Sequence, residues 1–187
     1  MSREERVIKK HLEKHLPPFV VLHSLRTAVI AQNIAAEENA DEDVAYFGGL
    51  IHDLGLEKGI ANHAVNGVDI ARKLFEKNHI FPDIEDVLLE IIHTHLLEPE
   101  PRTAEGWIVS DADIIERIGP LGIHRLYVNA LHLSKLAPED MLGYLEQALE
   151  TTAQIHTATA RSFAKKDTQY LKTFIERLEE DADVEDE

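Results

Sequence analysis

Along this chain apolar residues return at intervals of three and four, and runs that alternate apolar with polar over a strand's length are absent. That pattern permits helices that each bury one face, and little else. Proline and glycine mark where the helices stop. Residues 3–15 read as a first helix, halted by Pro17-Pro18. Residues 20–38 form a second. Asp41 caps a third, which runs through VAYFGGLIHDLG and ends near Gly55. Residues 62–78 and 83–96 follow, separated by Pro82. Then come 104–118, 120–134, 138–165 and 167–180, with Pro138 near a helix start, where its missing N–H costs little. No internal repeat or long linker divides the chain, so the expected fold is an all-α, single-domain helical bundle. The closing EEDADVEDE has little to bury and is expected to be frayed or disordered.

With 187 residues, 44% of them hydrophobic, the chain can build a substantial core. No apolar run approaches the roughly 20 residues of a membrane span. MSREERVIKKHLEKH lacks the apolar stretch of a signal peptide. Cytoplasmic location without membrane association is therefore expected. The absence of cysteine excludes disulfides, thiolate ligands and cysteine nucleophiles. A net charge of -16 argues against general nucleic-acid binding. A small phosphorylated substrate still fits, because local cations or bound metal reverse the potential inside one cleft. Eleven histidines point to imidazole chemistry.

The His52-Asp53 pair closes an apolar segment containing Val44, Ala45, Phe47, Leu50 and Ile51. A carboxylate buried there costs several kcal/mol unless a cation or hydrogen bonds compensate. A divalent metal would do so; the plainer alternative is a lysine partner or a backbone cap. His23 shares a helical stripe with Arg26, Ile30 and Asn33, which could present one metal ligand and one phosphate clamp. The alternative is an interior histidine with an arginine at the rim. His63 stands one turn before Gly67, whose lack of a side chain would let another helix approach. In DIEDVLLEIIHTHL, the stripe of Ile84, Leu88, Ile91 and Ile92 carries His95 inward and leaves His93 at the rim or in solvent. In WIVSDADIIERIG, the inner face of Ile108, Ala112, Ile115 and Ile118 favours Asp111 over Asp113.

His, then His-Asp, then Asp, spread over a run of helices, resembles the HD superfamily of metal-dependent phosphohydrolases. The match lies in VLHSLRTAVIAQNIA, GGLIHDLG and SDADIIERIG, and covers roughly residues 20–125. It divides the chain into an N-terminal helix (1–19), an HD-type core (20–125), helices packing on it (126–180) and an acidic tail (181–187). NHAVNGVDIA and IIHTH are similar to segments of members that hold two metals. The resemblance implies six ligands: His23, His52, Asp53, His63, His95 and one aspartate, with Asp53 bridging. The family pattern selects Asp113, which we rank ahead while keeping Asp111.

Many members read HDxGK, with a lysine near the phosphates; here Leu56 occupies the lysine position and Lys58 is the nearest lysine. Arg26 or Lys58 is the substitute expected at the phosphate. No GYP segment follows His95, so cyclic-di-GMP hydrolysis is rejected. GPLGIHR resembles a stretch in small stand-alone members, some similar to nucleotide hydrolases, which makes Arg125 a candidate substrate contact. The implied activity is hydrolysis of a phosphoester or phosphoanhydride in a nucleotide or small metabolite, with Asp53, Arg26 and Lys58 as catalytic candidates. One or two divalent transition ions (Mn, Fe, Co, Ni or Zn, with Mg where waters complete the sphere) are the expected cofactor. The alternatives are an HD-fold di-iron oxygenase and a non-catalytic metal-binding regulatory module. The oligomeric state is left open, a homodimer among the options.

Overall fold

The computed structural model describes residues 1–131 and 140–183. Among these residues there is no strand. The helices are α1 (Arg3–His15), α2 (Pro18–Glu38), α3 (Glu42–Ile51), α4 (His63–Asn78), α5 (Glu85–Thr94), α6 (Ala104–Ile118), α7 (Pro120–Asn129), α8 (Met141–Thr151) and α9 (Ala158–Asp183). A 3-10 turn, Leu54–Lys58, separates α3 from α4. The expected all-α architecture is thus borne out. Pro138, the last residues of the 120–134 segment and residues 184–187 of the acidic tail lie outside the described residues.

The chain divides into two compact units, Met1–Asp113 and Ile114 onward. In the first, local chemistry sets the helix ends. The Ser2 hydroxyl accepts from the Glu5 amide and starts α1. Asp41 accepts from the amides of Asp43 and Val44 and starts α3, the cap expected from sequence. Asn39, in the left-handed region, ends α2. The core is built from Ile8 and Leu12 of α1, Ile34 of α2, Leu50 and Ile51 of α3, Phe75 of α4, Leu88, Ile91 and Ile92 of α5, and Ile108 of α6, all fully buried. Each contributes roughly 1.5–3 kcal/mol by leaving water.

Helices α2 and α3 lie unusually close. A Cβ on Gly49 would stand 2.8 Å from the Ala28 Cα, so only glycine fits there. This approach sets the N-terminal half of α2 beside the C-terminal end of α3. Helix α2 also passes, by length and composition, for one that could cross a membrane, which the sequence reading did not expect. Half of that apolar stretch is buried within the fold, on the side carrying His23, Ser24 and Thr27.

In the second unit, α7, α8 and α9 pack through Leu126, Leu145, Ala148, Ala160 and Leu171. Its helix break falls at residues 152–157 rather than at the expected residue 166. The Thr151 and Thr152 hydroxyls donate to the carbonyls of Ala148 and Leu149, and α8 gives way to a short 3-10 turn. The Thr157 hydroxyl then accepts from the Ala160 amide, and the Arg161 guanidinium donates to the carbonyls of Ile155 and His156.

Candidate metal centre

Six side chains from the first unit converge: His23 from α2, His52 and Asp53 from the end of α3, His63 from the start of α4, His95 from the end of α5 and Asp113 from α6. The sequence reading carried the third helix through Asp53 to Gly55. Instead the α-helix ends at Ile51, and Asp53 sits at φ -95°, ψ 12° before the 3-10 turn. A continuous helix would send neighbouring side chains about 100° apart. The kink lets His52 and Asp53 face one point. Gly55 then lies directly on the carbonyl of His63 and beside the Gly67 amide, while Gly67 also faces Ile92 of α5. The close approach expected of Gly67 is real, and it seats His63 against the centre.

The Asp53 carboxylate divides its two oxygens between two sets of imidazoles. Its Oδ2 lies 3.4 Å from Nε2 of both His23 and His52. Its Oδ1 lies 3.5 Å from Nε2 of His63 and 3.7 Å from Nε2 of His95. Asp113 Oδ1 completes the first set, 3.2 Å from His23 and 3.9 Å from His52. Within each set the imidazole nitrogens are 3.1 Å (His23–His52) and 3.2 Å (His63–His95) apart.

The tautomers follow from the other ring nitrogens. His52 Nδ1 donates to the Gly49 carbonyl at 2.7 Å, His63 Nδ1 to Ile60 at 2.9 Å and His95 Nδ1 to Ile92 at 2.8 Å. His23 Nδ1 stands 3.4 Å from the Thr27 hydroxyl. Burial, reinforced by neighbouring His52, drives the His95 pKa down to about 4, so its ring is neutral near pH 7. With their Nδ1–H groups directed at carbonyls, His63 and His95 turn Nε2 toward each other across 3.2 Å, an arrangement that suits two donors around one cation. Burial works to raise the Asp53 pKa, but the charge of His52 and hydrogen bonds from His23 and His52 outweigh it and hold the group well below the usual carboxylate range. Imidazole and carboxylate donors at these separations fit a divalent transition ion in each set.

Other sequence candidates fall elsewhere. Asp111 is buried like Asp113, but it is Asp113 that joins the donor set. His93 is exposed. Arg26 is exposed one turn beyond His23. Lys58 was expected at the phosphate; it lines a groove with His11, His15 and Glu57 whose walls contain none of the six converging residues. Arg125, in the second unit, pairs with the buried Glu116 carboxylate. Thr27 and the carbonyls of Gly49, Ile60 and Ile92, which orient the imidazoles, went unnoticed in the sequence. A carbonyl belongs to every residue and so leaves no compositional mark.

Residues 20–118 match the HD domain family, just over half of the chain. The chain belongs to the HD-domain family. This bears out the expected class, a metal-dependent hydrolase of the HD type. Ribonuclease Y of Chloroflexus aurantiacus is 29% identical over 162 residues, 84% of this HD-domain chain but only 28% of that protein. The chain therefore spans less than a third of that relative. Among solved structures, YpgQ of Bacillus subtilis is 25% identical with a TM-score of 0.75, covering 97% of both chains. An HD-superfamily hydrolase from Bacillus thuringiensis is 21% identical with a TM-score of 0.69, covering 97% of this chain and 99% of that one, a likeness of fold.

Proposed function

We propose that this HD-domain protein hydrolyses a phosphoester or phosphoanhydride of a nucleotide or small phosphorylated metabolite, in the cytoplasm, with two divalent transition ions. The observation that carries the reading is the Asp53 carboxylate shared between two donor sets, one of them the facing Nε2 atoms of His63 and His95. His23, His52, Asp53 and Asp113 would hold one ion, and His63, His95 and Asp53 the other. Ions held there supply Lewis acidity toward a phosphoryl oxygen and lower the pKa of water.

The chain's own groups do the rest. The carbonyls of Gly49, Ile60 and Ile92 fix the imidazole rings, so donor geometry is set before substrate arrives. Asp53 and His63 keep 13% and 12% of their side-chain surface exposed, against 3% or less for His23, His52, His95 and Asp113, so substrate meets the centre on the Asp53–His63 side. Arg26 is the cation we assign to the substrate's phosphate, since a guanidinium grips two oxygens at once. That YpgQ has been crystallised with ADP supports a nucleotide as substrate. The resemblance to Ribonuclease Y favours a phosphodiester in RNA instead; the charge of -16 weighs against it.

The test is elemental analysis of protein purified without chelator, followed by assay of nucleoside di- and triphosphates, small phosphoesters and a short RNA. We expect close to two ions at the centre, hydrolysis of a nucleotide or small ester, and loss of both metal and activity in Asp53→Ala with helical content retained. Asp53→Ala that kept its full complement would overturn the centre. RNA as the only substrate cleaved would replace the small-molecule reading. Strict iron dependence with oxygen consumption and no hydrolysis would make the protein an oxygenase.

A further inference from the structure

A third set of metal-ligating side chains lies outside the centre. His11 and His15 are four residues apart on α1 and so share one face of that helix. Glu57, from the 3-10 turn after Asp53, reaches the same point. Its Oε2 is 3.1 Å from His11 Nε2 and 3.6 Å from His15 Nδ1, and all three donor atoms fall within 4.8 Å of one another. We propose that His11, His15 and Glu57 form a separate surface site for a zinc-class divalent ion, clamping α1 to the turn that follows the metal centre.

Hydrogen bonding explains only part of the arrangement. The 3.1 Å contact joins Glu57 to His11, but 3.6 Å is too long for a good second hydrogen bond from His15. Yet the His15 ring stacks on His11 with centroids 4.4 Å apart and planes at 23°, turned toward the same carboxylate oxygen. Ligands about 2.0–2.2 Å from a tetrahedral ion stand about 3.3–3.6 Å from each other, and the two histidine–carboxylate separations, 3.1 and 3.6 Å, lie within a few tenths of an ångström of that spacing. Burial lowers the His11 pKa despite the facing carboxylate. Two imidazoles and a carboxylate, on two different elements, form a donor set that a zinc-class ion prefers.

The three residues are 18%, 38% and 19% exposed, so they are held in place yet open to water on one side. They line a groove of about 570 Å³ together with Lys10, Lys14, Lys58, Lys73 and Lys77. Those ammonium groups oppose a bare cation. They also attract an anion to the ion's open coordination position, which offsets the repulsion. The groove lacks every residue of the centre, so the two sites load independently.

The test uses the full chain, stripped of metal and titrated with Zn(II) alone by calorimetry, with bound ions counted after gel filtration. Wild type should hold one ion more than His11→Ala/His15→Ala and one more than Glu57→Gln. Both variants should keep wild-type hydrolysis per folded molecule. Asp53→Ala, emptied at the centre, should retain one ion that raises its melting temperature, and adding His11→Ala and His15→Ala should abolish that rise. Equal ion counts in wild type and both site variants would overturn the proposal, whatever the centre does. So would a lost ion accompanied by loss of hydrolysis, because the missing ion would then belong to the centre. If Asp53→Ala fails to fold, the comparison of wild type with Glu57→Gln still decides.

Discussion

On the proposed function, Arg26 is the residue that meets the substrate's phosphate. It sits exposed, one turn from a buried histidine. As the phosphate clamp, it should tolerate Arg26→Lys in fold and metal content while losing on the order of ten- to a thousandfold in kcat/KM. A fall in melting temperature with unchanged turnover per folded molecule would make it structural. At this scale the sequence was legible wherever a helix has two unlike faces. His93 and His95 could be told apart because α5 has an exposed side for His93 and a buried one for His95. Asp111 and Asp113 could not, and periodicity even favoured the residue outside the donor set. Every residue from Ile108 to Glu116 is buried, so that stretch of α6 offers no polar face from which to read its phase. The motif order, which encodes the site directly, selected Asp113.

Elements hold the centre through backbone approach. A Cβ on Gly55 would fall on the His63 carbonyl oxygen, a clash with main chain that no rotamer relieves. Gly55→Ala should therefore cost about 3 kcal/mol, and roughly 10 °C in melting temperature, and should weaken the metal set that includes His63. Gly143→Ala is the control: its site on α8 is open and helical, so the change should leave stability unchanged or raise it by about 1 kcal/mol. Calorimetric melting of both variants checks the pair, and equal melting points would refute the packing argument. Helix existence was legible from apolar spacing, whereas two endings were not. The α3 kink at His52-Asp53 replaces what reads as one more helical turn, because convergence on the centre overrides local propensity. The break at 152–157 rests on hydroxyls of Thr151, Thr152 and Thr157, residues equally at home inside a surface helix.

For the molecule as a whole, composition misled at one place. Helix α2 has the length and apolarity of a membrane span, although His23 and Arg26 interrupt its apolar run. Its apolar side is spent on the core and on seating His23. Stability should follow metal supply. Ions at a hundredfold excess over their dissociation constant add about 2.7 kcal/mol to folding, so chelation should lower the melting temperature by roughly 5–10 °C. A chelator-insensitive melting curve would argue against metal at either site.

The centre's donors begin at His23 and end at Asp113, and they come from α2, the end of α3, the start of α4, the end of α5 and the interior of α6. Only His52 and Asp53 are neighbours in the chain. An unfolded chain thus has almost nothing with which to chelate, and nearly all the ion affinity appears only on folding. In a metal-starved cell more of this protein would stand open to proteases, and its abundance would drop before any change in its synthesis. Cellular levels of the protein would then act as a gauge of transition-metal nutrition.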